Sequence, residues 1–576
     1  MTVHAMIEDL GPDTASDAFV DLLGRIVGQG YVRSGDAETE RFRTGFRSGA
    51  GEAEAVVSPG SLVEMWRVLQ ACVRARRIVI FQAANTGLTE GSTPNGAYDR
   101  SVVLISTLRL DTIQTIRDGH QIISLPGATL YKLEKLLAPL NRQPHSVIGS
   151  TSIGASIVGG VCNNSGGSLV HRGPAYTELA LFAQIGEDGV LRLINHLGIE
   201  LGETPEEILE NLDSGQFSEA DIQDGVGRAS DDGYGAKVRD VTASTPSRYN
   251  ADPDRLYEVS GCAGRLAVFA VRLDTFPAMD GEKVYYIGTN TPSDLTVLRR
   301  RILTECQELP IAGEYVHREL FKVARVYGKD TLMMIHWFGT DRLPLFFAIK
   351  GTLDAYLNKA PFLPKNLVDR VMQVLSRLIP EPLPRRLLDW HDRYDHHMIL
   401  KIVPSEAERT EAILTDVLDP DAWFACNPEE AKKAMLHRFA AAGAAVRYHA
   451  VHEAEVEDVI ALDIALRRND EEWLEDLPPE IEADIVAKLY YGHFFCHVFH
   501  QDYVVRKGAD PKAVKQKMLA LLDQRGAEYP AEHNVGHLYP AKPALAAFYE
   551  SLDPTNTFNP GIGKTSKQRR VPETSA

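Results

Sequence analysis

Two glycine-rich stretches lie about sixty residues apart: Phe81-Gln-Ala-Ala-Asn-Thr-Gly-Leu-Thr-Glu-Gly-Ser-Thr93 and Val147-Ile-Gly-Ser-Thr-Ser-Ile-Gly-Ala-Ser-Ile-Val-Gly-Gly-Val-Cys-Asn-Asn-Ser-Gly-Gly167. Each follows an apolar run. Small residues let main-chain N–H groups converge on an anion, and no side chain stands where a ligand must come closest. Two long loops of this kind predict a large phosphate-containing cofactor held mainly by backbone.

The elements that must present these loops follow from hydrophobic periodicity. Residues 53–59 are strand-like, Leu62 to Ala75 has helical spacing, and Arg77–Phe81 is a short buried strand that feeds the first loop. Strands over 101–106 and 121–126 and a helix over 130–140 lead to the second. The stretch 259–273 returns to buried-strand character after another glycine turn, and the texture changes at 274–282, which predicts a domain boundary there. Beyond it, 283–288, 332–337 and 345–350 read as strands and 454–466 as a helix. The acidic run 200–232 reads as a solvated surface insertion, and the tail from Lys564 as frayed.

A chain of 576 residues exceeds what one core usually serves. Its 44% hydrophobic content is that of an ordinary globular protein. A net charge of −18, from 61 basic and 79 acidic side chains, argues against nucleic-acid binding. Six cysteines without CxxC spacing read as reduced thiols. The first ten residues are acidic and lack an apolar core, so no secretory signal is expected. No apolar stretch approaches the ~20 residues needed to cross a bilayer. A membrane, if met, is met from one side.

Other cofactor signatures are missing. No strand–GxGxxG–helix unit is present. Gly561-Ile-Gly-Lys-Thr565 lacks the upstream glycine of a phosphate loop, because Phe558 stands there.

Both glycine loops, together with Pro174-Ala-Tyr-Thr-Glu-Leu179, Ser260-Gly-Cys-Ala-Gly-Arg265, Ala531-Glu-His-Asn-Val-Gly-His537 and Asn559-Pro-Gly-Ile-Gly-Lys-Thr-Ser566, resemble the vanillyl-alcohol-oxidase-type FAD flavoproteins. Within them the likeness is to the bacterial respiratory, quinone-dependent D-lactate dehydrogenases, and it extends over essentially the whole chain. The resemblance implies an α+β fold: an FAD-binding domain of two subdomains over 1–275, a cap (substrate) domain on an antiparallel sheet over 276–526, and a C-terminal segment, 527–576, returning to the FAD domain. It also implies a basic membrane-contacting insertion over about 317–395. There Lys365, Arg370, Arg377, Arg385, Arg386 and Arg393 alternate with apolar residues, and anionic phospholipid attracts each exposed cation by about 1 kcal/mol.

For FAD, the resemblance points to Ala83, Ala84, Asn85, Thr86, Gly87, Gly91 and Ser92, then Ser150, Ile157 and Gly167, and Val268. The first loop has no His or Cys, so the flavin is expected to be non-covalent. In related 2-hydroxy-acid dehydrogenases a divalent metal is held by two histidines seven residues apart and a glutamate; His493, His500 and Glu532 match them, a set suited to Zn²⁺ or Mn²⁺. The Gly-Asp-Gly-Asn that relatives carry between the histidines is absent here. His533 matches the general base, and Arg438 and Arg447 match cap residues that clamp the substrate carboxylate. The implied reaction is oxidation of D-lactate to pyruvate, with electrons passed to a membrane quinone by a protein peripheral on the cytoplasmic face of the membrane. The rivals are a soluble dehydrogenase of another D-2-hydroxy-acid, such as glycolate or 2-hydroxyglutarate, and a membrane-associated scaffold with a vestigial flavin fold.

Overall fold

The computed structural model describes residues 2–146, 154–279, 281–338, 353, 357 and 366–570. Near the N-terminus, strands Val32–Ser34, Ala55–Val57, Val102–Ser106 and Ile78–Gln82 lie in that order. The last three are parallel, with Val56 and Ile80 both opposite Leu104. A parallel sheet is covered on both faces, which is why Ile78–Ile80 and Val102–Ile105 are uninterrupted apolar runs. The helix Leu62–Arg74 crosses between strands, capped by the Ser61 hydroxyl on the Glu64 N–H, and packs Trp66 on Phe269.

A second, five-stranded antiparallel sheet runs Ile113–Ile116, Gln121–Ser124, Ala267–Asp274, Ala180–Ile185, Leu191–Asn195. The third is a seven-stranded antiparallel sheet in the order Trp423–Ala425, Lys283–Thr289, His396–Ile402, Ala312–His317, Ile485–His493, Val498–Arg506, Val456–Ala465. One face packs Tyr285, Tyr315, Leu400, Ile460, Leu462 and Ile464 around the helices Pro292–Glu305 and Pro511–Gln524. The opposite face packs Tyr286, Val316, Ile399, Tyr491 and Val504 under the helices Arg318–Tyr327 and Pro428–Val451.

The C-terminal segment is pinned to the first sheet. The Val79 N–H donates to the Thr557 carbonyl (3.0 Å), and Asn559 N–H donates back to the Val79 carbonyl (2.9 Å). Buried Arg265 clasps the same segment through the carbonyls of Phe558 (2.6 Å) and Tyr549 (3.2 Å) and the Asn556 Oδ1 (2.8 Å).

Three sequence expectations change. Residues 454–466 form the strand Val456–Ala465 rather than a helix, because Ile460, Leu462 and Ile464 alternate toward the core and override the local helix preference of Ala, Glu and Leu. Residues 332–337 belong to the helix Lys329–Phe338, whose Leu332 and Met333 pack with the small residues of Pro428–Val451. The acidic run 200–232 is more than a solvated insertion: it contains the helix Pro205–Ser214, which buries Ile208, Leu209 and Leu212 in the core that also holds Leu62–Arg74. The expected strand 345–350 lies outside the described residues.

Candidate active site

The first glycine loop leaves the parallel strand Ile78–Gln82 and is closed at its base by Gln82, whose Nε2 donates to the carbonyls of Ser92 and Phe42 (both 2.8 Å). Asn85 adopts left-handed backbone (φ 52°). Its amide donates to the Thr44 carbonyl (2.9 Å), and its Oδ1 accepts from the Ser92 hydroxyl (2.9 Å). With the loop so fixed, none of the main-chain N–H groups from Ala83 to Gly91 reaches a backbone acceptor among the described residues. Ala83, Ala84 and Asn85 face Thr44, Gly45 and Phe46 across a cleft of about 440 Å³. Thr86 follows them, and a Cβ at Gly87 would meet nothing within 4 Å.

The second loop comes to the first: a Cβ on Gly154 would stand 3.6 Å from that of Ala84. Ile157 opens the helix Ile157–Cys162, Val268 lies on the strand Ala267–Asp274, and Gly91 faces the Asn534 side chain. Gly167 has φ 124° and donates its N–H to Glu532 Oε1 (3.2 Å), so this loop also reaches the turn that carries Glu532. Ser150 lies outside the described residues. Main-chain donors without a backbone acceptor among the described residues, beside a cleft that Arg41 also lines, fit a diphosphate, and so fit FAD.

The remaining residues gather at one end of the seven-stranded sheet. Tyr491 and Asp463 both lie opposite His500, and Glu314 lies opposite His493. His493 places Nδ1 2.7 Å from Glu314 Oε1 and Nε2 3.3 Å from Glu532 Oε2. His500 Nε2 is 3.9 Å from the same Glu532 oxygen. One donor atom from each of His493, His500 and Glu532 falls within 4.8 Å of the others, a set that could hold a metal ion. Glu314 then backs His493 as a carboxylate orients a ligating imidazole. His497 points elsewhere, with Nδ1 2.9 Å from the Arg467 carbonyl.

His533 stands beside this set, with Nδ1 2.6 Å from Asp463 Oδ2. That contact leaves Nε2 to act. The same Asp463 oxygen accepts the Glu532 N–H (2.7 Å), and Asp463 Oδ1 lies 3.3 Å from His500. Burial opposes the charge of His533, but the Asp463 carboxylate outweighs it and raises the imidazole above its ordinary range. Burial likewise opposes His493, yet Glu314 and Glu532 push it up to about 10. Glu532 is held well below the usual carboxylate range: burial works against this, and His493 and then Arg248, whose Nη2 is 2.6 Å away, prevail.

The two arginines expected to clamp a substrate part company. Arg438 is near the centre, its Nη2 3.0 Å from Glu314 Oε2 and its guanidinium 4.5 Å from the Tyr491 ring centre. Arg447 is not. Further along the same helix, it pairs with Asp330 (2.5 Å) and Asp369 (3.3 Å) and ties that helix to Lys329–Phe338 and Leu367–Ser376. The charge of Arg438 acts on Tyr491 and Asp502, and so does that of the exposed Arg47, from the turn beside Thr44, which also acts on His533.

The sequence alone does not single out Glu314, Asp463, Arg248 or Arg47. For Asp463 a signal exists: it is the one carboxylate in the alternating run Ile460–Ala465, visible once that run is read as a strand. For Glu314, Arg248 and Arg47 only the strand register and chain crossing reveal the role.

Two family models match the chain, one described as "D-lactate dehydrogenase, membrane binding" over residues 284–571 and one as "FAD binding domain" over 53–179. A quinone-dependent D-lactate dehydrogenase of Escherichia coli (strain K12) is 58% identical over 97% of this chain and 99% of its own length. A protein of the same name from Corynebacterium glutamicum is 44% identical over 96% and 98%. Among solved structures, 4-ethylphenol oxidase from Gulosibacter chungangensis matches with a TM-score of 0.56 at 12% identity, over 96% of this chain and 98% of its own. A p-cresol methylhydroxylase matches with a TM-score of 0.55 at 11% identity, over 97% and 99%. At such identities the structural likeness speaks for the fold alone, and that fold is the vanillyl-alcohol-oxidase type, α+β.

Proposed function

This chain belongs to the family of quinone-dependent D-lactate dehydrogenases, and from that premise we propose that it oxidises D-lactate to pyruvate at a bound FAD and delivers the electrons to a membrane quinone. Flavin, when bound, supplies the two-electron acceptor for the hydrogen leaving the substrate Cα. The residues do the rest. Main-chain N–H groups of Ala83–Gly91, with Ser92, Ser150, Ile157, Gly167 and Val268, hold the cofactor without a covalent link. His533 Nε2 takes the hydroxyl proton, its tautomer fixed by Asp463 on Nδ1. Arg438 orients the substrate carboxylate, and Arg47 takes the second place in the clamp, since Arg447 is bound to Asp330 and Asp369.

His493, His500 and Glu532 would hold a Zn²⁺ or Mn²⁺ ion, which would supply Lewis acidity toward the substrate hydroxyl. No helix among the described residues is long and apolar enough to cross a membrane. The protein is peripheral on the membrane, and we place it on the cytoplasmic face, against anionic phospholipid.

The observation that carries the reading is the His533–Asp463 pair, with His533 on a turn that is hydrogen-bonded to the first glycine loop at Thr89, in a chain that aligns end to end with enzymes of this name. Anaerobic addition of D-lactate is expected to bleach the flavin spectrum, and glycolate or 2-hydroxyglutarate to bleach it far more slowly. His533→Ala should abolish that bleaching while FAD stays bound. A yellow protein that D-lactate leaves oxidised would reject the substrate, and unchanged reduction in the variant would reject His533 as base.

A further inference from the structure

The helix Leu367–Ser376 is amphipathic in the inverted sense. Asp369, Gln373 and Ser376 are buried, whereas Val371 is 48% exposed, Val374 60%, Leu375 55% and, just past the helix end, Leu378 81%. These four aliphatic residues stand at i, i+3, i+4 and i+7, one continuous stripe. Polar bonds hold the inner face: Asp369 to Arg447 (3.3 Å), Gln373 Nε2 to the Val326 carbonyl (3.1 Å), and the Ser376 hydroxyl to the Gln373 carbonyl (2.8 Å). A contiguous aliphatic stripe left in water marks an interaction surface.

Positive charge alone does not explain the region. Arg370, Arg385 and Arg386 each already have a carboxylate at 3.1 Å, and Arg393 has one at 2.5 Å. Arg377 has no carboxylate partner among the described residues. With Arg325, Lys329, His452 and Glu381 it lines a pocket of about 380 Å³, in which Arg325 is already paired with Glu381 (2.7 Å).

We propose that the Leu367–Ser376 helix lies in the plane of the bilayer interface, its aliphatic stripe among the acyl chains and Arg377 at the level of the anionic phospholipid headgroups. The proposal rests on the peripheral-membrane reading and adds which segment enters the bilayer and that the attachment is partly hydrophobic. Aliphatic side chains below and cationic ones beside them match the order of layers in a lipid monolayer.

The test is flotation of the holoenzyme with phosphatidylcholine vesicles, with and without phosphatidylglycerol, at low salt and at about 0.5 M NaCl, where surface charge is screened. Wild type should keep part of its binding in high salt. Val374→Asp/Leu378→Asp, and the milder Leu378→Ser, should weaken binding at both salts, the double variant by about tenfold or more. Their reduction by D-lactate with a soluble acceptor should be unchanged, which shows that they fold. Arg377→Gln should lose the preference for phosphatidylglycerol and keep the salt-resistant part. Wild-type-like flotation of the double variant, wild-type binding that vanishes in high salt, or a stripe whose substitution dissolves a dimer instead would each overturn the proposal. A wild type that floats with no vesicle at all would overturn the membrane reading itself.

Discussion

Asp463 is the residue on which most of the proposed reaction centre turns. One of its oxygens accepts from the Glu532 N–H and touches His533 Nδ1, and the other faces His500. Asp463→Asn keeps the shape but offers an amide that can present N–H where His533 needs an acceptor, which favours the wrong tautomer. Stopped-flow flavin reduction by D-lactate should slow by about 10²–10⁴, with FAD content unchanged; a rate near wild type would detach Asp463 from His533's role. The proposed metal has its own residue-scale outcome. Dialysis against a chelator should slow reduction by about tenfold or more, and one equivalent of Zn²⁺ or Mn²⁺ should restore it, whereas His500→Ala should show no restoration. The small residues of the loops are legible in the sequence because glycine runs of that length are unusual, whereas the histidines and Glu532 are found only through the family resemblance. Arg447 is not, because spacing gives an arginine's position on a helix but not which carboxylates lie opposite.

At the scale of elements, the turn Ala531–His537 carries Glu532 and His533 and has to be fastened to the flavin loop. Gly536 does this. Its φ is +53°, and a Cβ there would collide with the Thr89 carbonyl oxygen. The neighbouring His537 N–H donates to that same oxygen (2.9 Å), and the Gly563 N–H donates to the Gly536 carbonyl (2.7 Å). Gly536→Ala must therefore push the turn off the first loop, at a cost of about 1–3 kcal/mol from backbone strain alone. Purified protein should carry less FAD per chain, and the flavin that remains should be reduced more slowly; full flavin content at a wild-type rate would show that the fastening is dispensable. The short parallel strands and the Leu62–Arg74 helix can be anticipated because local pattern and tertiary role agree there. For 454–466 they disagree: the residues favour a helix, but the neighbouring strand Val498–Arg506 supplies hydrogen bonds and the sheet a core face that only a strand can use, and the long-range register prevails.

For the molecule as a whole, the seven-stranded sheet and the helices packed on it keep several imidazoles dry, and this sets how the protein answers acid. Burial lowers His437 to about 3 and His396 to about 4, and carries His397 and His497 well below the ordinary range. His437 lies 3% exposed against Phe321, with Nε2 3.1 Å from the Phe321 carbonyl. In the unfolded chain each of these groups takes up a proton near pH ~6.5; in the folded protein it does not. Their contribution is complete above that value and is lost as pH falls toward the folded one, by up to about 2 kcal/mol for each group at about pH 5. The thermal midpoint should therefore fall steeply from about pH 6.5 to 5. His437→Gln, which keeps an amide donor for the Phe321 carbonyl and has no proton to gain, should lower the midpoint at about pH 7.5 yet flatten the slope below about 6.5. A slope as steep as that of wild type would show that His437 is already hydrated or charged in the folded protein.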